Sequence, residues 1–388
     1  MTSHFRRRGF ANTAHPDGDT IWHRLRRVHW VLAALLVAVA SIGFAVLYSA
    51  ADAQWQPWAV RQAIRFGIGF LLMIVIAVVD LRIWRRLAYP LYAGALVLLL
   101  VVEFAGVGDG SQRWIALGFF NLQPSEVMKV GLIVALARYF HDLDENQVDT
   151  LAALIPPLFL TAIPTLLVLR QPDLGTASIL VALAVAVAFL AGLAWWKFAL
   201  AAAAVAASAP LAWSFLHDYQ RERILTFLDP SRDPLGAGYH ILQSKIALGS
   251  GGLFGKGFVG GTQSQLSFLP EKHTDFIFTL MAEEFGFVGS LFLISVMAGI
   301  LVCCFSISIR ATSIFSRLIV LGLALNFFLY AFINMAMVMG ILPVVGVPLP
   351  MISYGGTAML TLMIGFGLIQ SAAVHRGAIA PGPSGTGR

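Results

Sequence analysis

Charge is scarce in this sequence. Only 12% of its 388 residues are Asp, Glu, Lys or Arg, whereas 58% are hydrophobic. Ordinary soluble domains carry about 25% charged residues. With a mean hydropathy of +0.80, a soluble fold of this length is excluded, because too little polar surface is available to cover it. Cysteine is scarcer still. Cys303 and Cys304 are the only two, adjacent in one apolar run, which excludes a disulfide framework and offers no metal-ligand spacing. They read as small apolar packing residues. The net charge is +6 and the sequence pI is near 9.5, yet the basic residues are scattered at the ends of apolar runs. A nucleic-acid-binding face is therefore excluded, and a membrane orientation signal explains them. No cleavable leader is expected. The residues before Trp30 are polar and rich in arginine (Arg6, Arg7, Arg8, Arg24, Arg26, Arg27), and the apolar run that follows is long enough to act as a signal anchor.

What is present is a succession of apolar runs, each near the length of about 20 residues that crosses a bilayer. Ten spans are expected, at approximately residues 30–49, 59–79, 86–105, 122–140, 151–169, 174–192, 195–216, 275–305, 315–340 and 353–373. The expected fold class is all-α, a polytopic membrane protein with about ten transmembrane helices. A tail of residues 1–29 precedes the membrane domain of residues 30–373, and a second tail, residues 374–388, follows it. Pro156, Pro157 and Pro164 predict a kink in the fifth span, which neighbouring helices can accommodate. Arg24, Arg26 and Arg27 precede span one, Arg82, Arg85 and Arg86 follow span two, and Arg310 and Arg317 separate spans eight and nine. Placing these inside puts both termini in the cytoplasm, with Arg61 and Arg65 as the exceptions. Residues 106–121, 170–173, 217–274 and 341–352 then face outward. The segment 217–274 is several-fold longer than a usual connection, which calls for a functional explanation.

Candidate site residues follow from that topology. Asp275 stands where the long loop enters span eight, beside Lys272 and His273, with Thr274 as the expected N-cap. Its bland reading is a carboxylate facing a helix dipole. Glu126 and Lys129 lie inside span four, and spacing of three puts them on one face with Gln123. Pro124 marks the helix start. Their bland reading is an ion pair fastening two helices, but ionisable residues at such depth more often mark a site. Arg113 and Trp114 precede that helix, and guanidinium suits phosphate. Arg170 and Lys245 extend the same basic mouth. The run Gly249–Gly257 resembles a phosphate-binding loop, but Ser250 and Gly257 break the nucleotide pattern, leaving a flexible, close-packing loop. Glu283 and Glu284 point to different sides of span eight, so at least one has a structural partner. The histidines form no ligand cluster, and no metal site is expected from spacing.

Four longer motifs carry a resemblance. They are Arg113-Trp114 with Gln123-Pro124-Ser125-Glu126-x-x-Lys129, then Gln171-Pro172-Asp173-Leu174-Gly175-Thr176, then residues 268–278 around His273-Thr274-Asp275-Phe276, and residues 340–356 through Pro343-Val344-Val345-Gly346-Val347-Pro348. Together and in this order they resemble the shape, elongation, division and sporulation family of bacterial membrane proteins. The last motif is more similar to the elongation branch than to the division branch. The resemblance implies a peptidoglycan glycosyltransferase that joins lipid II units on the outer face of the inner membrane. It also implies a class B penicillin-binding protein and other elongation-complex proteins as partners. Asp275 corresponds to the family's essential acidic residue, and Glu126 and Lys129 to its paired ionisable positions. Asp275 is then the expected general base, with Arg113, Lys129 and Lys245 near the leaving pyrophosphate. A divalent cation is compatible with this chemistry, although no ligand set demands one. The competing readings are a lipid II flippase and a non-catalytic scaffold. Against the flippase, the polar residues gather at the outer mouth, and no inverted repeat is visible.

Overall fold

The computed structural model describes residues 20–107, 113–116, 118, 121–215, 218–233, 236–262 and 273–376. The helices are α1 (Ile21–Arg26), α2 (Trp30–Ala50), α3 (Ala59–Val78), α4 (Leu81–Ala105), α5 (Pro124–Asp142), α6 (Glu145–Val148) and α7 (Ile155–Arg170). They continue with α8 (Leu174–Leu190), α9 (Trp195–Phe215), α10 (Asp218–Leu228), α11 (Ala237–Ser250), α12 (Ile277–Ile309), α13 (Ile314–Val338) and α14 (Gly356–Val374). A short antiparallel ribbon, Ile115–Ala116 paired with Asn121–Leu122, precedes α5.

Among the described residues, seven helices are long and apolar enough to cross a membrane by length and composition: α2, α3, α4, α7, α12, α13 and α14. The remaining expected spans correspond to α5, to α8, and to α9, whose apolar stretch Trp195–Ser208 is shorter. Polarity explains why α5 stands apart. It carries Glu126, Lys129, Arg138 and Asp142, and it is enclosed by α4, α7, α8, α13 and α14. The chain is a multi-pass helical membrane protein, as the apolar runs imply.

Two of the prolines inside spans, Pro164 and Pro90, have identifiable compensations. Pro164 in α7 removes the amide that would serve the Leu160 carbonyl, and the Tyr92 hydroxyl of α4 donates to that carbonyl at 2.9 Å. Pro90 in α4 likewise frees the Arg86 carbonyl, which receives the Arg138 guanidinium of α5 at 3.1 Å. Small residues allow close packing elsewhere. A Cβ on Gly367 of α14 would stand 2.8 Å from Ile76 and 3.0 Å from the Met73 carbonyl of α3.

The sharpest departure from regular structure is in α12, where Gly286 adopts φ 66° and ψ −160°. This region of backbone space is essentially open to glycine alone. The Gly-rich segment after α11 fills the break. Lys256 and Gly257 amides donate to the Glu283 and Glu284 carbonyls, both at 3.0 Å, while Phe287 and Val288 amides donate to the Gly252 and Leu253 carbonyls at 2.9 and 3.1 Å. Irregular backbone at a span is tolerated when protein groups satisfy it. The expected loop 217–274 thus contains α10, α11 and this laced segment, with α11 packed on α12.

Candidate functional site

The described parts of the four segments expected from sequence to face outward converge at one end of the bundle. The Glu126 amide donates to the Gln123 carbonyl at 3.1 Å as α5 begins with Pro124 at its first position. The Gln123 amide meets the Thr357 hydroxyl of α14 at 3.3 Å, and that hydroxyl donates to the Asn121 carbonyl at 2.6 Å. Gln123 therefore contributes its main chain to the site's framework, and its expected face-sharing with Glu126 is not used for a side-chain bond.

Glu126 and Lys129 do pair. Lys129 Nζ lies 2.7 Å from Glu126 Oε1, with residue exposures of only 1% and 5%. Tyr330 of α13 completes the cluster. Its hydroxyl donates to Glu126 Oε2 and accepts from Lys129, and the ammonium sits 4.3 Å from the ring centroid. Two opposite charges bonded to each other and to a hydroxyl are a tolerable way of burying ions, whereas either alone is not.

Arg113 is drawn to the turn between α7 and α8. Its Nε donates to the Gln171 carbonyl at 2.8 Å and one Nη to the Pro172 carbonyl at 2.6 Å, while the other Nη lies 3.9 Å from Asp173. Asp173 in turn caps α8 by accepting the Thr176 amide at 3.0 Å. Trp114 is half-buried and exchanges main-chain hydrogen bonds with Val107. Arg170 is exposed at the end of α7. The loop after α13 reaches this corner as well, since a Cβ on Gly175 would stand 2.9 Å from the Val345 carbonyl.

The same loop faces Asp275. Gly346, at φ +71°, presents no side chain, and a Cβ there would lie 3.4 Å from Asp275 Oδ2. The expectation that Thr274 caps the helix is corrected. Residues 273–276 form a turn, Phe276 occupies the N-cap, and α12 begins at Ile277, so half-buried Asp275 precedes the first helical turn. The Thr274 carbonyl accepts the Ser353 hydroxyl at 2.6 Å, a partner outside the α12 ladder. His273 is stacked on Trp58 with centroids 4.3 Å apart and planes inclined by 7°. Tyr354 stands 6.1 Å from His273 and carries the Arg65 guanidinium over its ring at 4.6 Å. Gln62 of α3 donates to the Ser353 carbonyl at 2.7 Å.

Lys245 is exposed on α11 and lies against Gly340, at the start of the loop that ends beside Asp275. Lys272 lies outside the described residues. Glu283 and Glu284 are separate from this corner in role. Glu283 pairs with Lys256 at 2.7 Å and accepts the Thr262 hydroxyl at 3.2 Å, while Glu284 accepts the Ser49 hydroxyl. Both therefore have structural partners. Among the described residues, no group of three or more His, Cys, Asp or Glu side chains is arranged to hold a metal ion.

Tyr330, Asn334, Ser353 and Trp58 were not expected from sequence. A signal for two of them exists. Asn326, Tyr330 and Asn334 recur every four residues in a largely apolar span, which lines up polar groups on one helical face.

Comparisons with known proteins identify the family. Residues 24–378 match the family model of the FtsW, RodA and SpoVE cell cycle proteins. The chain is 44% identical over 369 residues to the peptidoglycan glycosyltransferase MrdB of Escherichia coli strain K12, covering 94% of this chain and 98% of the relative. It is 36% identical over 357 residues to the probable peptidoglycan glycosyltransferase FtsW of Trichlorobacter lovleyi, covering 89% and 93%. Among solved structures, it resembles a chain of a peptidoglycan synthase complex that coordinates polymerization and crosslinking. There the TM-score is 0.79 at 32% identity, over 90% of this chain and 98% of that one. It also resembles the rod shape determining protein RodA of Thermus thermophilus, with a TM-score of 0.69 at 28% identity and the same coverages. The match to RodA agrees with the elongation branch expected from residues 340–356. The chain belongs to the FtsW, RodA and SpoVE family of cell cycle proteins.

Proposed function

We propose that this protein is a peptidoglycan glycosyltransferase of cell elongation. It polymerises lipid II at the periplasmic face of the bacterial cytoplasmic membrane, beside a class B penicillin-binding protein that crosslinks the product. In this reading both termini are cytoplasmic, and residues 30–373 are the membrane domain. The observation that carries the proposal is the half-buried Asp275, held between a turn and a glycine-lined loop at the polar end of a membrane bundle. The names of the relatives and the known synthase complex support it.

Asp275 takes the proton from the 4-hydroxyl of the acceptor N-acetylglucosamine. That oxygen attacks the anomeric carbon of the donor muramic acid, and the bond to undecaprenyl pyrophosphate breaks. One displacement turns an α donor into a β-1,4 link, so a single carboxylate suffices on the acceptor side. The electron pair leaves on the pyrophosphate, whose developing charge needs a cation. Lys245 is the exposed candidate, whereas Lys129 is buried on Glu126 and Arg113 is engaged with the 171–173 turn. Those two, with Trp114 and Gln123, support the site by fixing its walls. His273 and Lys272 flank the base in sequence.

The test is a glycan ladder from fluorescent lipid II, using full-length protein with and without its penicillin-binding partner. Loss of a general base costs about 10²–10⁴ in rate, so Asp275→Asn should abolish the ladder while remaining folded. A normal ladder from Asp275→Asn would sink the assignment. Absence of any wild-type ladder, together with lipid II translocation in liposomes, would favour a flippase instead.

A further inference from the structure

The main chain around Asp275 poses an accounting problem. Phe276, as N-cap, offers the first carbonyl used by α12, accepting the Thr279 amide at 3.0 Å and the Leu280 amide at 3.4 Å. The carbonyls of His273, Thr274 and Asp275 precede that ladder and need partners elsewhere, as buried carbonyls do. Each has one. The Tyr354 amide donates to His273 at 2.9 Å, the Ser353 hydroxyl to Thr274 at 2.6 Å, and the Asn334 side-chain amide to Asp275 at 2.8 Å.

Two of these donors are side chains with a second attachment. Ser353 also accepts the Leu349 amide at 2.7 Å, and Asn334 also donates to the Val347 carbonyl at 2.8 Å. Both are buried, at 2% and 0% exposure. Each therefore fastens the Asp275 turn to the loop that carries Gly346, the residue facing the carboxylate. Asn334 lies one turn along α13 from Tyr330, on the same face. One helix thus holds the Glu126–Lys129 pair with one side chain and the Asp275 backbone with the next.

We infer that Asn334 and Ser353 are positioning residues of the polymerase site, setting where the Asp275 carboxylate stands relative to the acceptor hydroxyl. They touch no reacting atom. The inference rests on Asp275 being the base. Its leverage is geometric, because displacement of a reacting group by about 1 Å can cost about 10²-fold in rate.

The experiment measures initial rates of lipid II polymerisation against lipid II concentration. It uses the full-length protein with its penicillin-binding partner, normalised to folded protein by thermal unfolding. Asn334→Ala and Ser353→Ala are expected to lower kcat by about 10²-fold with little change in KM, and Ser353→Thr, which keeps the hydroxyl, to restore the rate. A purely structural role would lower the folded fraction and leave kcat per folded molecule alone. That result, or equal kcat from Ser353→Ala and Ser353→Thr, overturns the inference. Should Asn334→Ala fail to fold, the Ser353 pair decides alone. The two readings separate cleanly. Normal polymerisation by Asp275→Asn defeats the base assignment, whereas an inactive Asp275→Asn beside unaltered Asn334 and Ser353 variants defeats only the positioning role.

Discussion

The Glu126–Lys129–Tyr330 cluster makes a graded prediction about stability. Its ions are 2.7 Å apart and 5% and 1% exposed, and one tyrosine hydroxyl bonds to both. Removing one member of such a buried pair leaves an uncompensated charge, at a cost of about 3–5 kcal/mol. Glu126→Gln and Lys129→Met should each pay this penalty. The double variant leaves no buried charge and should cost less than either single change, because replacing a whole buried pair by neutral groups is often nearly neutral. Tyr330→Phe keeps the ring under the ammonium but loses hydrogen bonds to charged groups, which are worth about 1.5–3 kcal/mol each. The single charge removals and Tyr330→Phe, which loses both of its bonds, are therefore expected at comparable cost, with the double variant below them. A double-mutant cycle from reversible denaturant unfolding in detergent measures it. Additive costs in the double variant, or unaltered stability in both singles, would refute the picture of a mutually dependent buried pair.

Three further outcomes are expected. Gly286→Ala places a Cβ 2.7 Å from the Leu253 carbonyl at a φ of +66°, so it should destabilise by at least the roughly 1–3 kcal/mol typical of such strain, and an unchanged unfolding midpoint would contradict the laced helix break. Tyr92→Phe orphans the Leu160 carbonyl at about 1–3 kcal/mol; Pro164→Ala restores an amide to that carbonyl, so the combined variant should be more stable than Tyr92→Phe alone, and the comparison fails if it is not. Burial holds the His29 imidazole, which accepts the Leu32 amide at the head of α2, below its ordinary pKa. A group whose folded pKa is depressed binds more protons when unfolded. Its contribution is therefore present above about pH 6.5 and is lost as pH falls through the lower folded value. His29→Asn, which keeps an N-cap acceptor, should flatten the acid side of the unfolding profile.

Much of the site was legible because its residues announce themselves locally. Glu126 and Lys129 share a helical face by spacing alone, and Asp275 stands at a loop-to-span junction. Their partners were hidden for a physical reason. Lys129 and Tyr330 are 201 positions apart, so their meeting depends on which helix lies beside which, and apolar spans carry little information about neighbours when every face is greasy. The polar stripe Asn326, Tyr330, Asn334 marked the face of α13 without naming what it meets. The Gly-rich run after α11 was readable as close-packing. Its actual mate, the break at Gly286, was invisible because glycine in a span signals a small residue as readily as a broken ladder.

Arg65 shows how a violated rule can carry information. In the proposed orientation it falls on the outer side and so opposes the positive-inside pattern on which that orientation rests. The structure supplies a different reason for it. Its guanidinium lies over Tyr354, whose amide holds the His273 carbonyl, and a Cβ on Gly356 would stand 3.3 Å from the guanidinium carbon. One residue before Tyr354, the Ser353 carbonyl accepts the side-chain amide of Gln62, three positions before Arg65 on the same helix. Arg65 is therefore bound up with the wall of the Asp275 turn through cation–π contact, a packing role that accounts for a basic residue at this position. Arg65 thus ties α3 to the segment that holds the Asp275 turn.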